Sequence, residues 1–302
     1  MMIADPLLKR LVRRAYQNGH GLLHQKSTTE VHQHIQKLVP PPKTDYPFES
    51  YAIAADINFR IFRNMQPSTG TLCFIRASAF TGGGLMDDTN PMCHMLSQRF
   101  NKDVVNIDFR MPPDYQFPFY FEDALTCVRY LEKNAEALKL KRPMIAWGES
   151  SGGTMVASIN QALAQQGHVL FDAQVLLYPM LDLVTQYPSK QSYGYGYMLD
   201  NTMIQWLCDR VLVSPSEAHD FRASPGLHPC ANQPATIMLT CEYDPLRDEA
   251  LAYAKALQAL GCLVEQHMVP GMVHGFIRYF DKLKSAGLAL DWIEQCLAKH
   301  TA

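Results

Sequence analysis

Gly148-Glu149-Ser150-Ser151-Gly152-Gly153 sets a serine between two glycines at a spacing that suits a nucleophile. On a sharp strand-to-helix turn, side chains two residues either side of the serine would collide. Glycine is therefore required at 148 and 152. Such a turn exposes the Ser150 hydroxyl and aims the amino end of the next helix at it, which favours developing negative charge. The flanks agree. Met144-Ile145-Ala146-Trp147 reads as a buried strand, and Thr154-Met155-Val156-Ala157 opens a helix. The plainer alternative is an ordinary Gly-Ser turn.

A serine hydroxyl is a weak nucleophile at neutral pH and needs a base, most often histidine. Among the eleven histidines, His274 stands out, in Pro270-Gly271-Met272-Val273-His274-Gly275-Phe276. It follows a strand-like run and precedes the last helix. The third member should orient and stabilise the imidazole. Asp244, in Cys241-Glu242-Tyr243-Asp244-Pro245-Leu246-Arg247-Asp248-Glu249, follows the strand-like Thr236–Thr240. Asp248 is its rival, with capping of the next helix as its plainer role. The expected catalytic set is Ser150, Asp244 and His274. His32 and His34 form a His-x-His without a third ligand nearby, so no metal is expected there.

These residues need a scaffold. Strand-like runs fall at Thr71–Ile75, Val104–Ile107, Met144–Trp147, Gln174–Leu177, Thr236–Thr240 and Leu263–Val269, with a hairpin over Tyr51–Ala55 and Phe59–Phe62. Helix-like segments lie between most of them: Met92–Phe100, Phe121–Lys139, Thr154–Gln166, Asp248–Leu260 and, last, Phe276–Leu297. Alternation of this kind predicts an α/β fold, a mainly parallel sheet with helices on both faces. Ligands bind such sheets at the carboxyl ends of the strands. Asp182–Ser224 breaks the rhythm, with Tyr193-Gly194-Tyr195-Gly196-Tyr197 and a short helix near Thr202–Val211, and reads as an inserted cap.

The N-terminus should be helical. Asp5 can cap, Pro6 suits the first position, and Ile3, Leu7, Leu8, Leu11 and Val12 make an apolar stripe among Lys9, Arg10, Arg13 and Arg14. A second helix should start at Ser27 with Glu30 as capping-box partner and stop before Pro40-Pro41-Pro42. A basic amphipathic helix can bind a membrane surface, but docking on its own domain is the expectation. The cap then combines residues 1–45 with part of 182–224 of a single domain, 1–302.

Composition narrows the classes. The chain has 302 residues, 47% apolar and 19% charged, enough for a sizeable core. Lys plus Arg is 27 and Asp plus Glu 29, for a net charge of −2, which gives no electrostatic case for nucleic acid. Of eight cysteines the closest two, Cys230 and Cys241, are eleven residues apart, so no Cys-x-x-Cys pair exists. Buried reduced thiols, with no signal peptide, point to the cytoplasm. No apolar run reaches the ~18 residues of a membrane span.

Longer motifs carry a resemblance. Asp108-Phe109-Arg110-Met111-Pro112-Pro113-Asp114-Tyr115-Gln116-Phe117-Pro118 followed by Glu122-Asp123-Ala124, the serine turn, Leu177-Tyr178-Pro179-Met180-Leu181-Asp182, Asp244–Glu249 and Gly271–Phe276 together resemble the hormone-sensitive-lipase-like carboxylesterases of the α/β-hydrolases. The likeness runs from about Tyr51 to the C-terminus. It implies the α/β-hydrolase fold with a helical cap. The family's nucleophile, acid and base fall on Ser150, Asp244 and His274, in the chain order expected of that fold.

One motif departs. Where the family has H-G-G-G, whose amides form the oxyanion hole, this chain has Arg76-Ala77-Ser78-Ala79-Phe80-Thr81-Gly82-Gly83-Gly84. Either Arg76–Phe80 replaces the motif without glycine, or Thr81–Gly84 is the motif displaced. The first register is preferred, because the motif should leave the strand directly. It makes Ser78, Ala79 and Ser151 the oxyanion donors. The resemblance implies hydrolysis of short-to-medium acyl esters through an acyl-enzyme, with a small-molecule substrate and no cofactor. Amide, lactone or peptide cleavage by the same residues stays open, as does a non-catalytic ligand-binding role. Oligomeric state is also open.

Overall fold

Strands β3 (Thr71–Ile75), β4 (Asp103–Ile107), β5 (Met144–Glu149) and β6 (Ala173–Leu177) are buried along their whole length. Their apolar residues fall on both sides of the sheet because both faces of a parallel sheet are covered. The computed structural model describes residues 3–38, 46–54, 56–77, 86–112 and 114–301. Among these, β1 (Glu49–Ala54), β2 (Ile57–Phe62), β7 (Ala235–Tyr243) and β8 (Val264–Val273) complete one sheet in the order β1-β2-β4-β3-β5-β6-β7-β8. The β1–β2 hairpin and the β2–β4 pair are antiparallel, and every later pair is parallel.

Successive residues on each strand serve opposite cores. Cys73, Ile75, Met144, Ala146 and Leu176 face one apolar cluster. Leu72, Phe74, Ile145, Trp147, Val175 and Leu177 face the other. This is the two-residue period of a strand. Helices α4 (Phe119–Lys133), α5 (Ser151–Gln165) and α8 (Arg247–Ala259) cover the first face. Helices α1 (Pro6–Gln17), α3 (Asn90–Phe100) and α9 (Lys284–His300) cover the second. Each large apolar side chain so buried contributes roughly 1.5–3 kcal/mol.

Helix α5 is buried from Ser151 to Ala164, so its polar residues need internal partners. Asn160 donates to the Val156 carbonyl and to Gln174 Oε1, and Gln161 donates to the Pro225 carbonyl and to Tyr253 Oη. Strand register then aligns the carboxyl ends that matter. Ile75 lies opposite Gly148, Glu149 opposite Leu177, and Tyr243 opposite Val273. The chain order reverses between β3 and β5, a crevice where sheets of this kind bind ligands.

The N-terminal expectations hold locally. The Asp5 carboxylate accepts from the Leu8 amide at 2.9 Å. Ser27 and Glu30 exchange bonds at the start of α2 (Thr28–Leu38). The stripe of α1 buries Leu8, Val12 and Ala15 in the domain, so the docked reading of this helix stands over the membrane-surface one. Leu23 and Val31 pack with Met203, Trp206 and Leu207 of α7 (Asn201–Val211). The N-terminal segment thus touches the irregular 182–224 stretch, which also holds α6 (Pro188–Tyr193).

Two helix boundaries lie well away from expectation. Helix α4 ends at Lys133, where the Asn134 side chain donates to the Tyr130 carbonyl and closes the last turn. The final helix begins at Lys284, because Phe276–Tyr279 forms a separate 3-10 turn after Gly275 at φ 77°. Buried Phe276, Tyr279, Leu283, Ala286 and Leu290 keep helical spacing across the break, which hides it from periodicity.

Candidate active site

The turn between β5 and α5 is built as the glycine spacing required. Ser150 sits at φ 54° and ψ −118°, a conformation that costs a non-glycine residue about 1–3 kcal/mol and persists only where surroundings enforce it. Its amide donates to the Leu177 carbonyl at 2.9 Å, and its carbonyl accepts from the Gly153 and Thr154 amides. A Cβ on Gly148 would lie 2.4 Å from the Gly152 carbonyl oxygen. One on Gly152 would lie 2.1 Å from the Ile75 oxygen. The elbow therefore packs backbone to backbone against the exit of β3.

His274 follows β8 and Asp244 follows β7. His274 Nε2 lies 2.9 Å from Ser150 Oγ, and His274 Nδ1 lies 2.8 Å from Asp244 Oδ2. Asp244 is buried, and its other oxygen accepts from the Leu246 amide. With Nδ1–H donated to Asp244, Nε2 is left to accept the Ser150 proton. The rival Asp248 points elsewhere. Its carboxylate accepts from the Ser189 amide and from Arg247 Nε, tying α8 to α6. It does not cap its own helix as the sequence suggested.

Ser151 is the first residue of α5, directly after Ser150, and is buried. Ser78 and Ala79, like Phe80 and Thr81–Gly84, lie outside the described residues, and so does the choice between the two oxyanion registers. The residues leading there are anchored. Arg76 is buried, and its Nη1 bonds Asp108 Oδ1 at 2.9 Å while its guanidinium stacks on Phe109.

The sequence reading passed over three residues beneath the elbow. Glu149 Oε1 accepts from Tyr178 Oη at 2.7 Å and from Arg278 Nε at 3.0 Å. Arg278 Nη2 donates to the Ala77 carbonyl at 3.2 Å. The Tyr178 ring meets the His274 ring edge-on, with centroids 4.9 Å apart. Burial drives the Tyr178 phenol well above its ordinary pKa, and the charge of Glu149 raises that of Arg278. Available signals were an acidic residue directly before Ser150 and an arginine four residues after His274.

Comparison with known proteins identifies the family. A family model described as the alpha/beta hydrolase fold matches residues 72–278. An ethyl acetate hydrolase of Pseudomonas putida is 32% identical over 232 residues, covering 76% of this chain and 73% of the relative. An arylesterase of Saccharolobus solfataricus is 30% identical over 205 residues, covering 66% and 67%. Among solved structures, an ester hydrolase from the metagenome of Lake Arreo, complexed with a derivative of bipyridine phosphonate, superposes with a TM-score of 0.85. It shares 26% identity over 99% of this chain and 98% of that one.

Proposed function

Since this chain belongs to the α/β-hydrolase family and its relatives are ester hydrolases, we propose that it hydrolyses short-to-medium acyl esters with Ser150 as nucleophile, His274 as base and Asp244 as orienting acid. The observation that carries the reading is the His274 imidazole, within hydrogen-bond reach of both Ser150 Oγ and Asp244 Oδ2.

Ser150 Oγ attacks the ester carbonyl while its proton moves to His274 Nε2. The carbonyl oxygen becomes an oxyanion beside the Ser151 amide at the start of α5. In this reading Ser78 and Ala79 supply the other donors, each able to contribute ~10²–10³ in rate. Collapse of the intermediate breaks the bond to the alkoxy oxygen, which leaves as the alcohol with the proton from His274. Water then gives a proton to His274 as it attacks the acyl carbonyl, and collapse breaks the bond to Ser150 Oγ, which takes that proton back from His274 as the acid leaves. Asp244 holds the imidazole in one tautomer and stabilises its charged form.

The N-terminal helices and α7 form the cap in this reading. Support comes from the Leu23, Val31, Met203, Trp206 and Leu207 cluster that joins them. Tyr193 and Tyr197 pack with Tyr243, the neighbour of Asp244, at ring separations of 5.6 and 5.4 Å. A cap seated this close to the acid limits acyl length. Each methylene that fits adds only ~0.8 kcal/mol, so kcat/KM should rise with chain length, then drop once the pocket fills. Turnover of p-nitrophenyl esters from two to sixteen carbons, with Ser150→Ala as control, tests this. The expected optimum is at about eight carbons or fewer, with loss of ~10³-fold or more in kcat for Ser150→Ala. A steady rise through sixteen carbons contradicts the size limit, and an active Ser150→Ala contradicts the mechanism.

A further inference from the structure

Four loops at the carboxyl ends of the strands must keep their spacing for the chemistry to work: those after β3, β5, β6 and β8. Glu149 touches or reaches all of them. It lies on β5 beside the nucleophile and is 3% exposed. Tyr178, from the loop after β6, donates to its Oε1. Arg278, from the turn after β8, donates to the same oxygen and, through the same edge of its guanidinium, to the Ala77 carbonyl after β3. We propose that Glu149 and Arg278 form a positioning strut that fixes the chain leaving β3 relative to the Ser150 elbow, and so sets the oxyanion site. This rests on the esterase reading above.

Arginine suits the task. Its planar fork satisfies two acceptors in fixed directions, where a lysine ammonium acts as a point charge. Arg76 and Ala77, which leave β3, are held from three sides. Gly152 backs the carbonyls of Ile75 and Arg76, Asp108 holds the Arg76 side chain, and Arg278 holds Ala77. Of these, only Arg278 links the β3 exit to the histidine loop. Charge gives a second reason. A buried carboxylate beside the elbow would oppose the oxyanion, and the guanidinium cancels it. Through Tyr178, whose ring edges His274, the same carboxylate also steadies the base.

The test compares Arg278→Met, Arg278→Lys, Glu149→Gln and the Glu149→Gln/Arg278→Met double variant with the wild type. Active-site concentration is titrated with a fluorophosphonate, so that unfolded or dead protein is not counted. Per active site, Arg278→Met should lower kcat for p-nitrophenyl butyrate by about 10–100-fold, the effect of a ~1 Å misplacement, with KM changed less than about threefold. Affinity for a trifluoromethyl ketone, which makes the oxyanion adduct, should fall in parallel with kcat/KM. Arg278→Lys should recover part of kcat. The double variant should outperform Arg278→Met, because no unpaired carboxylate is left buried. Unchanged kcat per active site overturns the proposal. So does a rise in KM at constant kcat, which makes Arg278 a substrate-binding residue. So does a loss confined to melting temperature and active fraction. If the wild type itself hydrolyses no ester, the esterase reading fails instead.

Discussion

Gly152→Ala probes the contact between the elbow and β3 most severely. The new Cβ would meet the Ile75 carbonyl oxygen at 2.1 Å, the Arg76 oxygen at 2.7 Å and the Ile75 carbonyl carbon at 2.8 Å. All three are backbone atoms, so no side chain can swing aside. Opening the closest contact from 2.1 Å to even 3.0 Å moves the exit of β3 from the elbow by about 0.9 Å. Overpacking of this kind costs about 1–3 kcal/mol in stability. Displacement by ~1 Å at a reacting centre costs ~10²-fold in rate. The variant should therefore fold with a lower Tm and lose ~10²-fold in kcat on p-nitrophenyl butyrate per phosphonate-titrated site. Gly287→Ala in α9 is the control, since a Cβ there meets nothing within 4 Å. A Gly152→Ala enzyme within about threefold of wild-type kcat would refute the claim that this backbone contact sets the site.

Asp244→Asn should cost ~10³-fold or more in kcat because it breaks the imidazole tautomer. Asp248→Asn should keep kcat within about threefold and lose ~1 kcal/mol of stability; the reverse pattern makes Asp248 the acid. Gly287→Ala should raise stability by about 0.5–1 kcal/mol, read from chemical denaturation, since alanine suits a helix better than glycine. Burial raises the Glu249 carboxyl to about 7, although Lys190 Nζ lies 3.0 Å away. The folded state then holds this proton more tightly than the unfolded chain, so stability falls as pH rises from about 4.5 through about 7. The Tm of wild type relative to Glu249→Gln should decline from pH 5 to pH 8, and a pH-independent difference contradicts it.

Much of the scaffold was legible because burial on both faces leaves a plain mark. β3 to β6 are buried throughout and mostly apolar, and the loops after β5, β7 and β8 carry a serine, an aspartate and a histidine in motifs with few other uses. The register that brings Ser150, Asp244 and His274 within hydrogen-bond distance follows from the parallel pairing of β5, β6, β7 and β8. The strut was not legible. Glu149, Tyr178, Arg278 and Ala77 meet only because β3, β5 and β6 are neighbours, which sequence spacing does not state. The start of α9 was misread because helical spacing runs through a 3-10 turn. Asp248 looked like a helix cap because it sits in the first turn of α8. Its partner across the fold, Ser189 on α6, comes from a segment with no recognisable period.

The central claim is that Ser150 is the nucleophile, activated by His274. Mass spectrometry of protein treated with a fluorophosphonate tests it directly. One adduct should form, on the peptide carrying Ser150. It should vanish in Ser150→Ala and form far more slowly in His274→Ala, which lacks the base. An adduct on Ser151, or none while esters are being turned over, contradicts the account.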